Sequence, residues 1–142
     1  MIIKQLSVSL DNVPGTLSTI SESLGREGVN IRAVSVADTS DISTVRFVVD
    51  DPEKAKNMLT ANGYHPRETG VLAVEMPDHP GGMNSVLKPL NAAGINVHYL
   101  YPHLGRIHGD AIVILGVDKT EEAQQVLADN WVKVLGREVY NV

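Results

Sequence analysis

The chain has 142 residues, 43% hydrophobic and 20% charged, with 12 basic and 17 acidic side chains, a net charge of −5 and no cysteine. Such ordinary globular composition excludes disorder, collagen and coiled coil. The missing cysteines exclude disulfides, thiol catalysis and cysteine metal sites. Residues 1–69 hold 7 basic and 9 acidic side chains and residues 70–142 hold 5 and 8. Neither half carries the basic surplus that phosphate binding needs, so no nucleic acid partner is expected. The longest apolar run, Ala111–Val117, falls far short of the roughly 20 residues of a spanning helix. Met1-Ile2-Ile3 turns polar at Lys4 and Gln5, unlike a signal peptide. A cytoplasmic chain with no membrane partner is expected.

Leu6, Val8 and Leu10 alternate with Ser7 and Ser9, which predicts a strand with one buried face. Asp11-Asn12-Val13-Pro14-Gly15 ends it, and Pro14 suits the first helical position, where its missing N–H is no loss. Leu17, Ile20 and Leu24 follow at helical spacing, and Gly28 can close that helix in the left-handed conformation. Ile31–Val36 reads as a second strand, and Val45, Phe47 and Val49 as a third. Pro52 opens a second helix carrying Ala55, Met58 and Leu59, which Gly63 closes. Tyr64–Glu68 is predicted to be a short edge strand, because Pro66 cannot donate to a ladder. Thr69 and Gly70 read as a two-residue link.

The series then begins again. Val13-Pro14-Gly15 recurs as His79-Pro80-Gly81, and Gly28-Val29-Asn30-Ile31 as Gly94-Ile95-Asn96-Val97, both shifted by 66 residues. Ala55, Met58 and Leu59 return as Ala123, Val126 and Leu127 at an offset of 68. The difference predicts a two-residue insertion between the second and third strands of the second copy. The fold class is therefore α+β: two ferredoxin-like βαββαβ modules, residues 1–69 and 70–142, with antiparallel sheets and helices on one face.

The most repeated segments are loops, where function tends to sit. Asn12 to Leu17 runs into a helix N-terminus, whose free N–H groups suit a carboxylate. Gly15 lets a ligand approach the backbone. The amides of Asn12 and Asn30 could serve both ends of a free amino acid. The alternative is that Asn, Pro and Gly are there for turn geometry alone.

Asn12-Val13-Pro14-Gly15-Thr16-Leu17 with Gly28-Val29-Asn30-Ile31 resembles the signature of the ACT domain, and Asp78-His79-Pro80-Gly81-Gly82-Met83 with Gly94-Ile95-Asn96-Val97 resembles it again. The resemblance spans about residues 2 to 136. It implies a small regulatory module that binds an amino acid in a seam between modules and controls an enzyme of amino acid metabolism. Carried over, it implies ligand-binding residues Asn12, Val13, Pro14, Gly15, Thr16, Leu17, Asn30 and Ile31. In the second copy these become Asp78, His79, Gly81, Gly82, Asn96 and Val97. The second site is expected to be the weaker, because an ionised Asp78 in place of Asn12 would repel a carboxylate. Exposed ACT edges invite pairing, so a homodimer is expected.

No nucleophile elbow, phosphate loop, dinucleotide fingerprint or zinc-protease motif occurs. No catalytic residue and no cofactor is expected. His98, His103 and His108 flank one hairpin and could ligate a metal. Scattered histidines are more often simply hydrogen-bonded, and no metal is expected. Two modules fill 142 residues, which leaves the chain as a free-standing sensor or the regulatory subunit of a separate enzyme. The alternative is a regulatory or assembly subunit that binds no ligand itself.

Overall fold

The structure, a computed structural model, describes all 142 residues. The chain divides into two compact units: Lys4–Thr69, and Met1–Ile3 together with Gly70–Val142. Both are built of helices and antiparallel strands.

The Lys4–Thr69 unit uses β1 (Ile3–Asp11), α1 (Thr16–Arg26), β2 (Ile31–Asp38), β3 (Ile42–Val49) and α2 (Pro52–Ala61). Strand β3 lies between β1 and β2, antiparallel to both, with Phe47 opposite Leu6 on one side and Val34 on the other. One core joins Leu6, Val8 and Leu10 with Val45, Phe47 and Val49, Ile20 and Leu24 of α1, and Ala55, Met58 and Leu59 of α2. The period of two on the strands and the 3.6-residue period on the helices turn these side chains inward together.

The Gly70–Val142 unit uses β4 (Arg67–Met76), α3 (Gly82–Ala92), β5 (Val97–Ile107), β6 (Asp110–Val117), α4 (Thr120–Asp129), β7 (Val134–Leu135) and a 3₁₀ turn at Arg137–Tyr140. Its strands lie in the order β7-β4-β6-β5, every neighbour antiparallel. Leu72, Val74, Val113 and Leu115 meet Val86 and Leu90 of α3 and Ala123 and Leu127 of α4 in its core. Ile112, Val113, Ile114 and Leu115 are all buried, so both faces of β6 are covered. That explains the unbroken apolar run noted in the sequence.

Thr69 and Gly70 do not form a link: β4 runs through them without a break. A Cβ on Gly70 would stand 2.8 Å from Cγ2 of Ile2. The glycine is there for close approach and not for flexibility. Of the expected strand Tyr64–Glu68, only Arg67 and Glu68 are strand, as the start of β4 just after Pro66. Pro14 is not the first helical residue either. Gly15 (φ 91°) and Gly81 (φ 86°) occupy the N-caps in the left-handed conformation, and the helices begin one residue later. Pro52 does open α2, where Asp51 accepts the Lys54 N–H (3.1 Å).

The predicted two-residue insertion takes the form of a bulge in β5. Pro102 pairs with Val113 and Arg106 with Ala111, so four steps along β5 match two along β6. The buried imidazole of His103 fills the bulge. Its Nδ1 accepts the Gly105 N–H (2.8 Å), and its Nε2–H donates to the carbonyl of Val139 (2.7 Å). The hairpin then closes through His108 (φ 50°) and Gly109 (φ 79°), both left-handed as a type I′ turn requires.

Three helices end alike. Val29, Tyr64 and Ile95 return their N–H to Leu24, Leu59 and Leu90, and Gly28, Gly63 and Gly94 take the left-handed position. Helix α4 makes the same bond from Val132 to Leu127, but its left-handed residue is Trp131 (φ 64°) with 96% of its surface exposed. A side chain in that conformation costs about 1 kcal/mol relative to glycine. Trp131→Gly is therefore expected to raise stability by roughly that amount. Urea unfolding followed by circular dichroism reads the gain.

Candidate functional site

Both repeated loops lie at the end of a first strand and the start of a helix, and each is tied to the hairpin of its own unit. In the first, the Asn12 N–H donates to the Asp41 carbonyl (2.9 Å) and its side-chain Nδ2 to that of Thr39 (3.3 Å). The hydroxyl of Thr16 turns back to the carbonyls of Asp11 (3.0 Å) and Val13 (3.2 Å). Val13 and Leu17 are exposed, as are Asn12, Pro14 and Gly15. Nothing lies within 4 Å of the place a Gly15 Cβ would take. The backbone of the first turn of α1 is thus open to a ligand, with the N–H groups of Leu17 and Ser18 lacking a partner inside the helix.

In the second loop Asp78 is not the isolated charge the sequence suggested. Nη2 of Arg106, near the end of β5, donates to its carboxylate. The pair neutralises the charge that made this site look the weaker. His79 donates from Nδ1 to the carbonyl of Pro80 (2.9 Å). Gly81 is exposed, with open space where a Cβ would go, whereas Gly82 is buried. A Cβ on Gly82 would fall 1.9 Å from the Pro77 carbonyl oxygen. Its role is to let α3 begin against that carbonyl. Residues 76–84 and Leu87 line an open, shallow cleft of about 700 Å³.

Asn30 and Asn96 sit just before β2 and β5, exposed, while Ile31 and Val97 are half-buried against the two cores. Each Asn is held by an Asp that sequence reading missed. The Asn30 N–H donates to Asp50 Oδ1 (2.9 Å), and Asp50 returns its own N–H to the Asn30 carbonyl (3.0 Å). Asp118 repeats both bonds with Asn96 (3.1 and 3.2 Å). The signal was present: Asp50 and Asp118 are related by the later offset of 68. Nδ2 of Asn96 also donates to Nδ1 of His98 (3.3 Å).

The three histidines do not converge. His98 meets Asn96, His103 is enclosed by backbone groups, and His108 donates from Nδ1 to Glu75 Oε1 (2.9 Å), with Lys133 beyond it (3.9 Å). No group of three or more His, Asp or Glu side chains forms a metal site. No helix is long and apolar enough to cross a membrane. Near the 3₁₀ turn, hydrogen bonds from the backbone N–H groups of Glu138 itself and of Gly136 (3.0 Å) hold the Glu138 carboxyl below the usual range.

Strand-to-helix loops repeated on a frame of four helices and antiparallel strands define a duplicated α+β module. The model of the ACT domain pair matches residues 1–140, and the chain belongs to that family. ACT domains are regulatory domains that bind small molecules. A Bacteroides thetaiotaomicron protein of known structure is 30% identical over 100% of this chain and 98% of its own, with a TM-score of 0.93. The ligand-free regulatory subunit of aspartate kinase from Thermus thermophilus shares the fold at 13% identity, covering 90% of this chain and 91% of that one (TM-score 0.64). The corresponding subunit from Thermus flavus does so at 12%, covering 90% and 92% (TM-score 0.60). No curated protein matches the sequence.

Proposed function

We propose that this chain is a non-catalytic amino acid sensor: it binds a free amino acid at the repeated loops and allosterically controls an enzyme of amino acid metabolism. On this reading its halves, 1–69 and 70–142, are two ferredoxin-like βαββαβ modules. The protein is a cytoplasmic homodimer, and no cofactor takes part. The observation that carries the reading is the repeated left-handed glycine, Gly15 and Gly81, opening onto a helix N-terminus with nothing above it, in a chain of the ACT family. The strand order of the Gly70–Val142 unit, with the first strand β4 between the fourth (β7) and the third (β6), supports the ferredoxin-like assignment. The likeness to regulatory subunits of aspartate kinase supports a separate partner enzyme. A ligand that binds one state of the chain better than another favours that state, and control follows from that difference in affinity.

A thermal-shift screen against the twenty amino acids tests the reading. A ligand at 100 times its dissociation constant adds about 2.7 kcal/mol of stability, which is several degrees for a small domain. Asn12→Ala is expected to weaken binding at the first loop about tenfold or more while the far-ultraviolet circular dichroism stays unchanged. Unchanged affinity by calorimetric titration would remove Asn12 from the site.

A second reading is a ligand-free assembly subunit. It is favoured by the amides of Asn12 and Asn96, already engaged by Thr39 and His98 within the fold. A flat thermal-shift panel would select it.

A further inference from the structure

Cleft and ion pair at the start of α3 differ in chemistry from the corresponding place in the first half. The cleft wall is formed by Met76, Pro77, Pro80, Met83 and Leu87. At an offset of 66, Pro77 and Leu87 stand where the first half has Asp11 and Ser21, and Asn84 where it has Ser18. Pro77 and Leu87 therefore add apolar surface to the second loop that the first lacks, while Met76, Pro80 and Met83 repeat Leu10, Pro14 and Leu17. Methionine is flexible and polarisable and fits aliphatic or thioether groups of varied shape. His79 is the one basic side chain in the lining, and it already gives Nδ1 to the carbonyl of Pro80, so the apolar wall itself offers no partner to a carboxylate on a ligand side chain. Asp78 is the one acidic side chain in the lining, so a basic ligand side chain would have to compete for it with the ligand's own ammonium.

The ion pair has spare capacity at both ends. Arg106 gives Asp78 one of its five N–H donors through Nη2, and Asp78 accepts with Oδ2. The guanidinium can still grip a carboxylate, and Oδ1 of Asp78 can accept from an ammonium. A free amino acid carries both charges two bonds apart, and its own dipole is complementary to that of the pair.

Resting on the proposed amino acid-binding reading, we infer that the α3 cleft takes an amino acid with an aliphatic or thioether side chain. Arg106 engages its carboxylate, Asp78 its ammonium, and the Met76–Met83–Leu87 wall its side chain. Arg106 is then a specificity-determining residue that the repeat could not reveal, because it lies 28 residues from Asp78 on another strand.

NMR titration, which reads weak binding as well as tight, supplies the test. The full chain is titrated with L-leucine, L-methionine, L-serine, L-aspartate and L-lysine, and with L-leucinamide, which lacks the carboxylate charge. Leucine or methionine is expected to bind at least about tenfold more tightly than the three polar amino acids, with shifts at the amides of residues 81–84. Arg106→Gln is expected to weaken leucine by about tenfold or more and leucinamide by less than about twofold, with Arg106→Lys recovering part of the loss. A merely structural role for Arg106 would weaken both ligands equally, and that result overturns the clamp. If serine, aspartate or lysine binds most tightly there, the selectivity falls while the sensor reading stands. If none of these amino acids shifts residues 81–84, the cleft assignment falls, and if the thermal-shift screen of all twenty is flat as well, the sensor reading falls with it.

Discussion

Gly82→Ala is expected to destabilise the Gly70–Val142 unit by about 3 kcal/mol and to abolish binding in the α3 cleft. The added methyl would sit 1.9 Å from the carbonyl oxygen of Pro77 and 2.9 Å from its carbon. Both are backbone atoms and cannot turn aside as a side chain would. Either α3 shifts outward or the loop from Pro77 to Gly81 changes path. Both movements carry away the open first turn and the cleft wall. The repeat supplies a control. Thr16 holds the equivalent position, the first residue of α1, and points its hydroxyl at the carbonyls of Asp11 and Val13. Thr16→Ala keeps a Cβ where one is tolerated and is expected to cost only about 1 kcal/mol. Urea unfolding of both variants measures the contrast. Equal losses would mean that Gly82 is not packed against Pro77.

Phe47→Ala is expected to cost about 3–5 kcal/mol, the range for a fully buried Phe reduced to Ala. Phe47 is the chain's one phenylalanine and is 1% exposed. It lies on the central strand opposite Leu6 and Val34, in the core shared with Ile20, Leu24 and Leu59. Deleting its ring leaves a cavity that a small, otherwise aliphatic core cannot refill. Whole domains have only about 5–15 kcal/mol in hand, so the variant sits near the edge of unfolding. Phe47→Leu keeps most of the volume and is expected to lose under about 1.5 kcal/mol. Denaturant midpoints, read with an unchanged slope, distinguish the two. A small loss for Phe47→Ala would contradict the packing described for this unit.

Local patterns carried most of the fold into the sequence. Alternation at Leu6, Val8 and Leu10, helical spacing at Leu17, Ile20 and Leu24, and glycines at 28, 63 and 94 are short-range signals, and the elements stand where they point. What stayed hidden depends on partners far along the chain. Gly70 looks like a linker glycine until Ile2 is found against it. Residues 102–109 look like a loop until His103 is seen to stitch a bulge to Val139. Histidines clustered within eleven residues of sequence scatter in space, because alternate strand positions face opposite ways. Of the candidate site, the loops and both Asn positions were readable from the repeat. Arg106 was not, nor was the fact that it changes what Asp78 means. Trp131 shows the reverse: the repeat calls for glycine there, and the chain places an exposed aromatic instead.

The most direct test of the sensor function is amide mapping on the isotope-labelled full chain with a mixture of the twenty amino acids, deconvoluted by single additions. Saturable shifts are expected at residues 15–18 or 81–84, together with Asn30 or Asn96. Spectra that do not change with any amino acid, or saturable shifts confined to residues outside these segments, would contradict it.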